Sequence, residues 1–332
     1  MKAANLIEVR SLNKTFTIKG GLFSRVKTST KAVNDVSLDI RRGEILGCVG
    51  GSGSGKSTLG RMIMRLIEPD SGDIRYDGAD LRALSRPEMR QYRKRLQIVF
   101  QDPLQSLNPR RTVAENVARP LLNFGVSPAA ANRRVDELFE LVGLDPSQSY
   151  RYPHEYSGGQ CQRIAIARAL ALEPEFLFLD EPVSALDVSI QAQILNLLAE
   201  LRKKLNLTFL FVSHDLKIVK QFCDRTIVMY RGSVLESGTS AEVYRDPKHP
   251  FTRDFLGTVL HVRKDSRWEQ AAERAEDLEG TKVQQGERCI YAGACADRFE
   301  PCLQSVPRLA GINESDRKVA CFLYGRDRPQ QQ

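Results

Sequence analysis

The stretch Gly50-Gly51-Ser52-Gly53-Ser54-Gly55-Lys56-Ser57-Thr58 limits this chain more than any other. It follows a short apolar run, Ile45 to Val49, and precedes Leu59, Met62, Ile63 and Leu66, whose spacing predicts one buried face of a helix. Strand, glycine loop and helix in that order form a phosphate cradle, because glycines let successive backbone N–H groups converge on an anion at the positive end of the helix. Lys56 is then placed to reach the β and γ phosphates, and the Ser57 hydroxyl to ligate Mg²⁺.

The 332 residues suffice for a large domain with an appendage. A net charge of +8 is spread along the chain and is densest from Arg86 to Arg95, which reads as a solvated face rather than a nucleic-acid site. Met1 to Arg10 lacks the apolar core of a signal peptide, and no window approaches the ~18 apolar residues of a membrane span. The expectation is a cytoplasmic chain.

Along the sequence, Ile7 to Arg10 and Val33 to Ile40 read as strands, with a basic loop over residues 19 to 31 between them. Phe16 and Phe23 compete as aromatics to stack on a nucleotide base. Turn signals at Pro69-Asp70-Ser71-Gly72 and Asp77-Gly78 precede a strand over Arg95 to Gln101. The chain then turns helical to about Pro153, with Val135, Leu138, Phe139 and Val142 forming a stripe and Pro128 near its start. Strands return at Glu175 to Asp180 and Leu207 to Ser213, flanking a helix from Ser189 to Leu205.

Phe176 to Leu179 is an apolar strand ending in Asp180 and Glu181, suited to holding Mg²⁺ through water and to deprotonating an attacking water. Ser157-Gly158-Gly159-Gln160 stands before a helix over Cys161 to Ala171, a second phosphate-binding helix start. Ser184-Ala185-Leu186-Asp187 follows the acids closely, and His214 ends the next strand.

Phosphate loop, Gln101, Tyr156-Ser157-Gly158-Gly159-Gln160, Leu179-Asp180-Glu181, Ser184 to Asp187 and His214 come in an order that resembles the nucleotide-binding subunit of an ATP-binding cassette (ABC) transporter. Tyr156 stands where that family often has Leu. The resemblance implies an α/β fold: a phosphate-loop, RecA-like NTPase core with an antiparallel β subdomain and an inserted helical subdomain at about 102–170. It also implies two subunits sandwiching ATP head to tail, between Gly51 to Thr58 of one and Ser157, Gly158 and Gly159 of the other. Gln101 adds a Mg²⁺ contact, His214 senses the γ-phosphate, Asp187 acts across the interface, and Glu181 makes the site hydrolytic.

Phe100-Gln101-Asp102-Pro103, Ser106-Leu107-Asn108-Pro109-Arg110 and Asp246 to Thr252 resemble the dipeptide and oligopeptide importer ATPases, with Phe251 where that branch commonly has Tyr. The implied partners are a paralogous ATPase (or a second copy), two permease subunits and a periplasmic binding protein. The implied location is the cytoplasmic face of the bacterial inner membrane. Nickel, opines, glutathione or sugars remain alternative solutes. A soluble ABC ATPase acting on nucleic acid, or one in iron–sulfur assembly, is the rival class.

The expected division is a nucleotide-binding domain over 1–260, a charged linker over 261–286 and a cysteine-rich module over 287–332. Cys289, Cys295, Cys302 and Cys321 admit disulfides, zinc or an iron–sulfur cluster. The module resembles the cysteine-bearing tail of peptide-importer ATPases, which implies a 4Fe-4S cluster, with Zn²⁺ or unligated thiols as the alternatives. Cys48, Cys161 and Cys223 read as inert core thiols.

Overall fold

The computed structural model describes residues 4–18, 28–260, 288–312 and 316–324. The strand before the phosphate loop, β3 (Ile45–Val49), is buried at every position and lies inside an eight-stranded sheet. Parallel to it run β8 (Thr208–Val212) on one side and β9 (Arg225–Tyr230) on the other. The parallel array continues from β8 through β7 (Phe176–Asp180) to β6 (Leu96–Val99). Such strands are covered on both faces and need unbroken apolar runs, which Phe176 to Leu179 and Phe209 to Val212 supply. The strand expected over Arg95 to Gln101 is shorter, because helix α2 (Arg86–Arg95) carries its last turn up to Leu96.

Beyond β9 the sheet becomes antiparallel, through β10 (Ser233–Thr239), β12 (Lys318–Val319) and β11 (Ala310–Gly311). The C-terminal residues thus add strands to the core sheet. Arg317 Nη2 donates to the fully buried Glu236 on β10 at 2.6 Å, and Arg41 pairs with Asp316 at 2.5 Å.

The second sheet has the order β2-β1-β4-β5, all antiparallel: β1 (Asn5–Ile18), β2 (Thr28–Arg41), β4 (Ser71–Tyr76) and β5 (Ala79–Asp80). The short strand expected at Ile7 to Arg10 is part of a 14-residue strand, and residues 28–31 of the expected loop are strand as well. Register shifts around Leu12 and a left-handed Ser11 (φ 45°) break the alternation that would have revealed it. Phe23 and the linker at 261–286 lie outside the described residues.

Helix α1 (Lys56–Ile63) buries Leu59, Met62 and Ile63 as expected, but not Leu66, which is 44% exposed. The helix stops at Ile63, and Arg65 enters the left-handed region at φ 50°, which turns the chain outward. Gly60 lets α1 lie flat on β7, since a Cβ there would stand 2.2 Å from the Phe178 ring.

Between β6 and β7 come α3 (Pro103–Ser106), α4 (Val113–Asn123), α5 (Pro128–Leu141) and α6 (Gly158–Leu170). Thr112 and Glu115 cap α4 reciprocally, and Ser127 followed by Pro128 starts α5. Val135, Leu138, Phe139 and Val142 are all buried, as their spacing predicts. The remaining helices are α7 (Val188–Leu205), α8 (Leu216–Phe222), α9 (Ser240–Arg245) and α10 (Pro250–Leu260). No described helix is long and apolar enough to cross a membrane.

Candidate nucleotide site

Both sheets shape the phosphate loop. The Gly232 N–H, in the turn after β9, donates to Ser54 O at 3.0 Å. Gly55 caps α1 at φ 98°, where a Cβ would meet Ala32 O on β2 at 2.1 Å, so only glycine fits. Lys56 is 6% exposed, and its Nζ donates to Gly50 O at 2.9 Å, Gly51 O at 2.8 Å and Ser54 Oγ at 3.3 Å. These bonds hold the ammonium across the loop beside the α1 N-terminus, whose first-turn N–H groups favour an anion.

Asp180, at the end of β7, is 3% exposed. Its Oδ1 accepts from Ser57 Oγ at 2.6 Å. The Ser57 hydroxyl and the Asp180 carboxylate are hard oxygen donors of the kind Mg²⁺ takes, and the Gln101 amide oxygen is a third of that kind. Oδ2 accepts from Arg61 at 3.2 Å. Sequence reading passed over Arg61, although its place one helical turn after Ser57 puts both on one face of α1.

Gln101, Glu181 and His214 follow β6, β7 and β8, three adjacent parallel strands, so all three side chains arrive at the same edge of the sheet as the phosphate loop. Gln101 Nε2 donates to Glu181 Oε2 at 3.3 Å, and His214 Nδ1 lies 3.0 Å from that same oxygen. Glu181 has a left-handed backbone (φ 52°), and its N–H donates to Val212 O at 3.0 Å.

Helix α6 starts at Gly158, three residues earlier than expected, with Ser157 as its cap. Gln160 N donates to Ser157 Oγ at 3.3 Å, and Ser157 N to Gln160 Oε1 at 3.0 Å, a reciprocal box that occupies the Gln160 side chain. Gly159 faces Ile190 of α7, where a Cβ would stand 2.5 Å away. Asp187 is exposed and precedes α7 without a side-chain cap. Among the described residues no hydrogen bond joins Ser157 to Gln160, or the Asp187 side chain, to the phosphate loop, Asp180, Glu181 or His214. Phe16, at the end of β1, is 41% exposed, with Lys14 Nζ 5.7 Å from its ring centroid.

Cys289, Cys295, Cys302 and Cys321 are free thiols lining one cavity together with His249 and Tyr291. Burial pushes Cys289 up to about 11 and Cys295 up to about 12, which favours the protonated thiols. The donor set suits a cluster, but the cavity volume of about 10 Å³ does not accommodate one. Among the described residues no group of three or more His, Cys, Asp or Glu is arranged to hold a metal ion. Cys48, Cys161 and Cys223 are buried, and burial raises Cys48 to about 12 and Cys161 to about 11, consistent with inert thiols.

The ABC transporter family profile matches residues 33–184. The chain is 44% identical over 331 residues to the oligopeptide transport ATP-binding protein AppF of Bacillus subtilis, covering 98% of this chain and 100% of that one. It is 43% identical over 321 residues to OppF of Haemophilus influenzae, an oligopeptide transport ATP-binding protein, covering 96% of each. Among solved structures it is similar to cbiO1 from Clostridium perfringens, part of an ABC transporter complex, at 30% identity and TM-score 0.63 over 81% of this chain and 99% of that one. It is also similar to the cassette MJ0796 in a dimeric post-hydrolysis state with ADP and Pi, at 31% identity and TM-score 0.62 over 70% and 98%. With the phosphate loop, Asp180, Glu181 and His214 assembled at one sheet edge, these likenesses establish that the chain belongs to the ABC transporter family of ATPases.

Proposed function

We propose that this chain is the ATP-hydrolysing subunit of a membrane importer for dipeptides and oligopeptides. The observation that carries the hydrolytic reading is the meeting of Gln101 and His214 on one oxygen of Glu181. Glu181 is the general base that takes a proton from the attacking water, while Gln101 and His214 hold its carboxylate in place. Lys56 and the α1 N-terminus bind the phosphates, and Phe16 offers its exposed ring to the base. Ser57, Asp180 and Gln101 would hold Mg²⁺, which would supply neutralisation of the phosphate charge.

Ser157, Gly158, Gly159, Gln160 and Asp187 serve the ATP of a second ATPase, a paralogue or another copy, packed head to tail. Support comes from the absence, among the described residues, of a hydrogen bond between them and this chain's own phosphate loop, and from the exposure of Ser157, Gly158 and Gln160. At the cytoplasmic face of the inner membrane two permease subunits contact the helical lobe near Gln101 to Asn108, and on the opposite side a periplasmic binding protein delivers solute. Peptide as solute is supported by the names of the relatives; nickel, opines, glutathione or sugars are the alternatives. Nucleic acid is not proposed; on the basic helix α2, Arg95 pairs with Glu175 at 2.7 Å, and Arg90 and Lys94 lie over the Phe124 ring.

The nucleotide-binding domain is assigned to 1–260, the linker to 261–286 and the cysteine-rich module to 287–332. A 4Fe-4S cluster there, or Zn²⁺ in its place, is supported only by four thiols facing one cavity, and loading requires them to spread apart. Iron and sulfide at about four each per chain in anaerobically purified protein would support the cluster, and their absence would remove it. The function itself is tested by ATP-driven uptake of a labelled dipeptide and a labelled pentapeptide into vesicles holding the complete transporter. Uptake of neither, with intact ATPase activity, overturns the peptide assignment.

A further inference from the structure

Asp180 has two carboxylate oxygens, and α1 supplies a partner for each. Ser57 Oγ donates to Oδ1 at 2.6 Å and Arg61 Nη2 to Oδ2 at 3.2 Å. The two residues stand four apart, so one helix face presents both. The Asp180 side chain is 4% exposed and that of Arg61 46%. A carboxylate withdrawn from water needs its charge matched and its oxygens bonded. Lys56 places its donors on Gly50, Gly51 and Ser54, which leaves Arg61 as the cation on this carboxylate among the described residues.

We propose that Arg61 is a positioning residue for the Mg²⁺ of the ATPase reaction. By holding Oδ2 it keeps the carboxylate turned so that Oδ1 faces Ser57 and the metal. The inference rests on the nucleotide site described above and adds to it a residue that acts through Asp180. Two effects of a neighbouring guanidinium oppose each other, since its charge repels a divalent cation while its hydrogen bond orients the ligand. At a half-exposed position solvent screens the charge, whereas the fixed geometry of the hydrogen bond is retained. Orientation therefore prevails, and loss of Arg61 weakens metal binding.

The test is the gain in affinity for a non-hydrolysable ATP analogue between EDTA and saturating Mg²⁺, read by equilibrium binding on the full-length chain and on R61M and R61K. In R61M the gain falls ~10-fold, the low end of the cost of losing the outer partner of a metal ligand, while affinity in EDTA stays unchanged. R61K keeps a point charge without the flat fork and lies between the two, and it carries the test should R61M not fold. An unchanged gain overturns the proposal, and so does a larger one, which would mean that repulsion governs. Absence of analogue binding to the parent chain would instead overturn the nucleotide site itself, and the proposal with it.

Discussion

His214 Nδ1 stands 3.0 Å from Glu181 Oε2, the oxygen that also takes the Gln101 amide at 3.3 Å. Only the glutamate of the three can act as an anionic base, and its side chain is the more enclosed partner, 16% exposed against 61% for His214. Glu181→Gln is expected to keep ATP binding, to hold the ATPase pair closed, and to lower turnover at least ~100-fold. Steady-state phosphate release checks the rate and size-exclusion with ATP the closed pair; undiminished turnover would take Glu181 out of the base role.

Lys56 bridges the two carbonyls that open its loop, and on the proposed reading its charge serves the phosphates. Lys56→Ala removes charge-assisted hydrogen bonds that together are expected to weaken nucleotide binding at least ~100-fold. Equilibrium binding of ATP in the presence of Mg²⁺ checks this, and unchanged affinity would mean the loop does not bind phosphate.

Glu236 is fully buried and is satisfied by Arg317 together with the backbone N–H groups of Lys248 and His249. Arg317→Met leaves that carboxylate without its cation, at an expected cost of ~3 kcal/mol or more. The urea midpoint should fall accordingly. An unaltered midpoint would show that the Arg317–Glu236 pair contributes nothing to stability.

His249 is held neutral by burial and by the neighbouring Arg253, which lower it to about 3. Its ordinary value of about 6.5 applies in the unfolded chain, so below that pH the unfolded state takes up a proton that the folded state refuses. Stability of the metal-free protein should therefore decline by about 1.4 kcal/mol per pH unit as pH falls from about 6.5 towards about 3. His249→Phe should remove that share of the slope in urea titrations at several pH values. An identical slope in the two proteins would place the proton elsewhere.

The buried parallel strands were readable because Phe176 to Leu179 and Phe209 to Val212 are unbroken apolar runs, and the phosphate loop and His214 because each follows such a run. β1 was not readable past Arg10, since its bulges at Leu12 erase the two-residue period. Leu66 has the right helical spacing, but the left-handed Arg65 turns it to solvent, and nothing in the side-chain pattern announces where a helix ends without glycine or proline. The pairing of β12 with β10 joins two-residue segments to a strand some eighty positions away, too short to carry a period. Arg61 is legible only once Asp180 is known to end beneath α1.

Glu181 holds a left-handed backbone at φ 52°, a conformation that disfavours side chains beyond glycine by ~1 kcal/mol or more. A glycine there would relax the turn after β7, so on the base role proposed for Glu181 that substitution is expected to raise stability while lowering turnover. The turn after β7 is thus a place where stability and, on that proposed role, turnover pull in opposite directions.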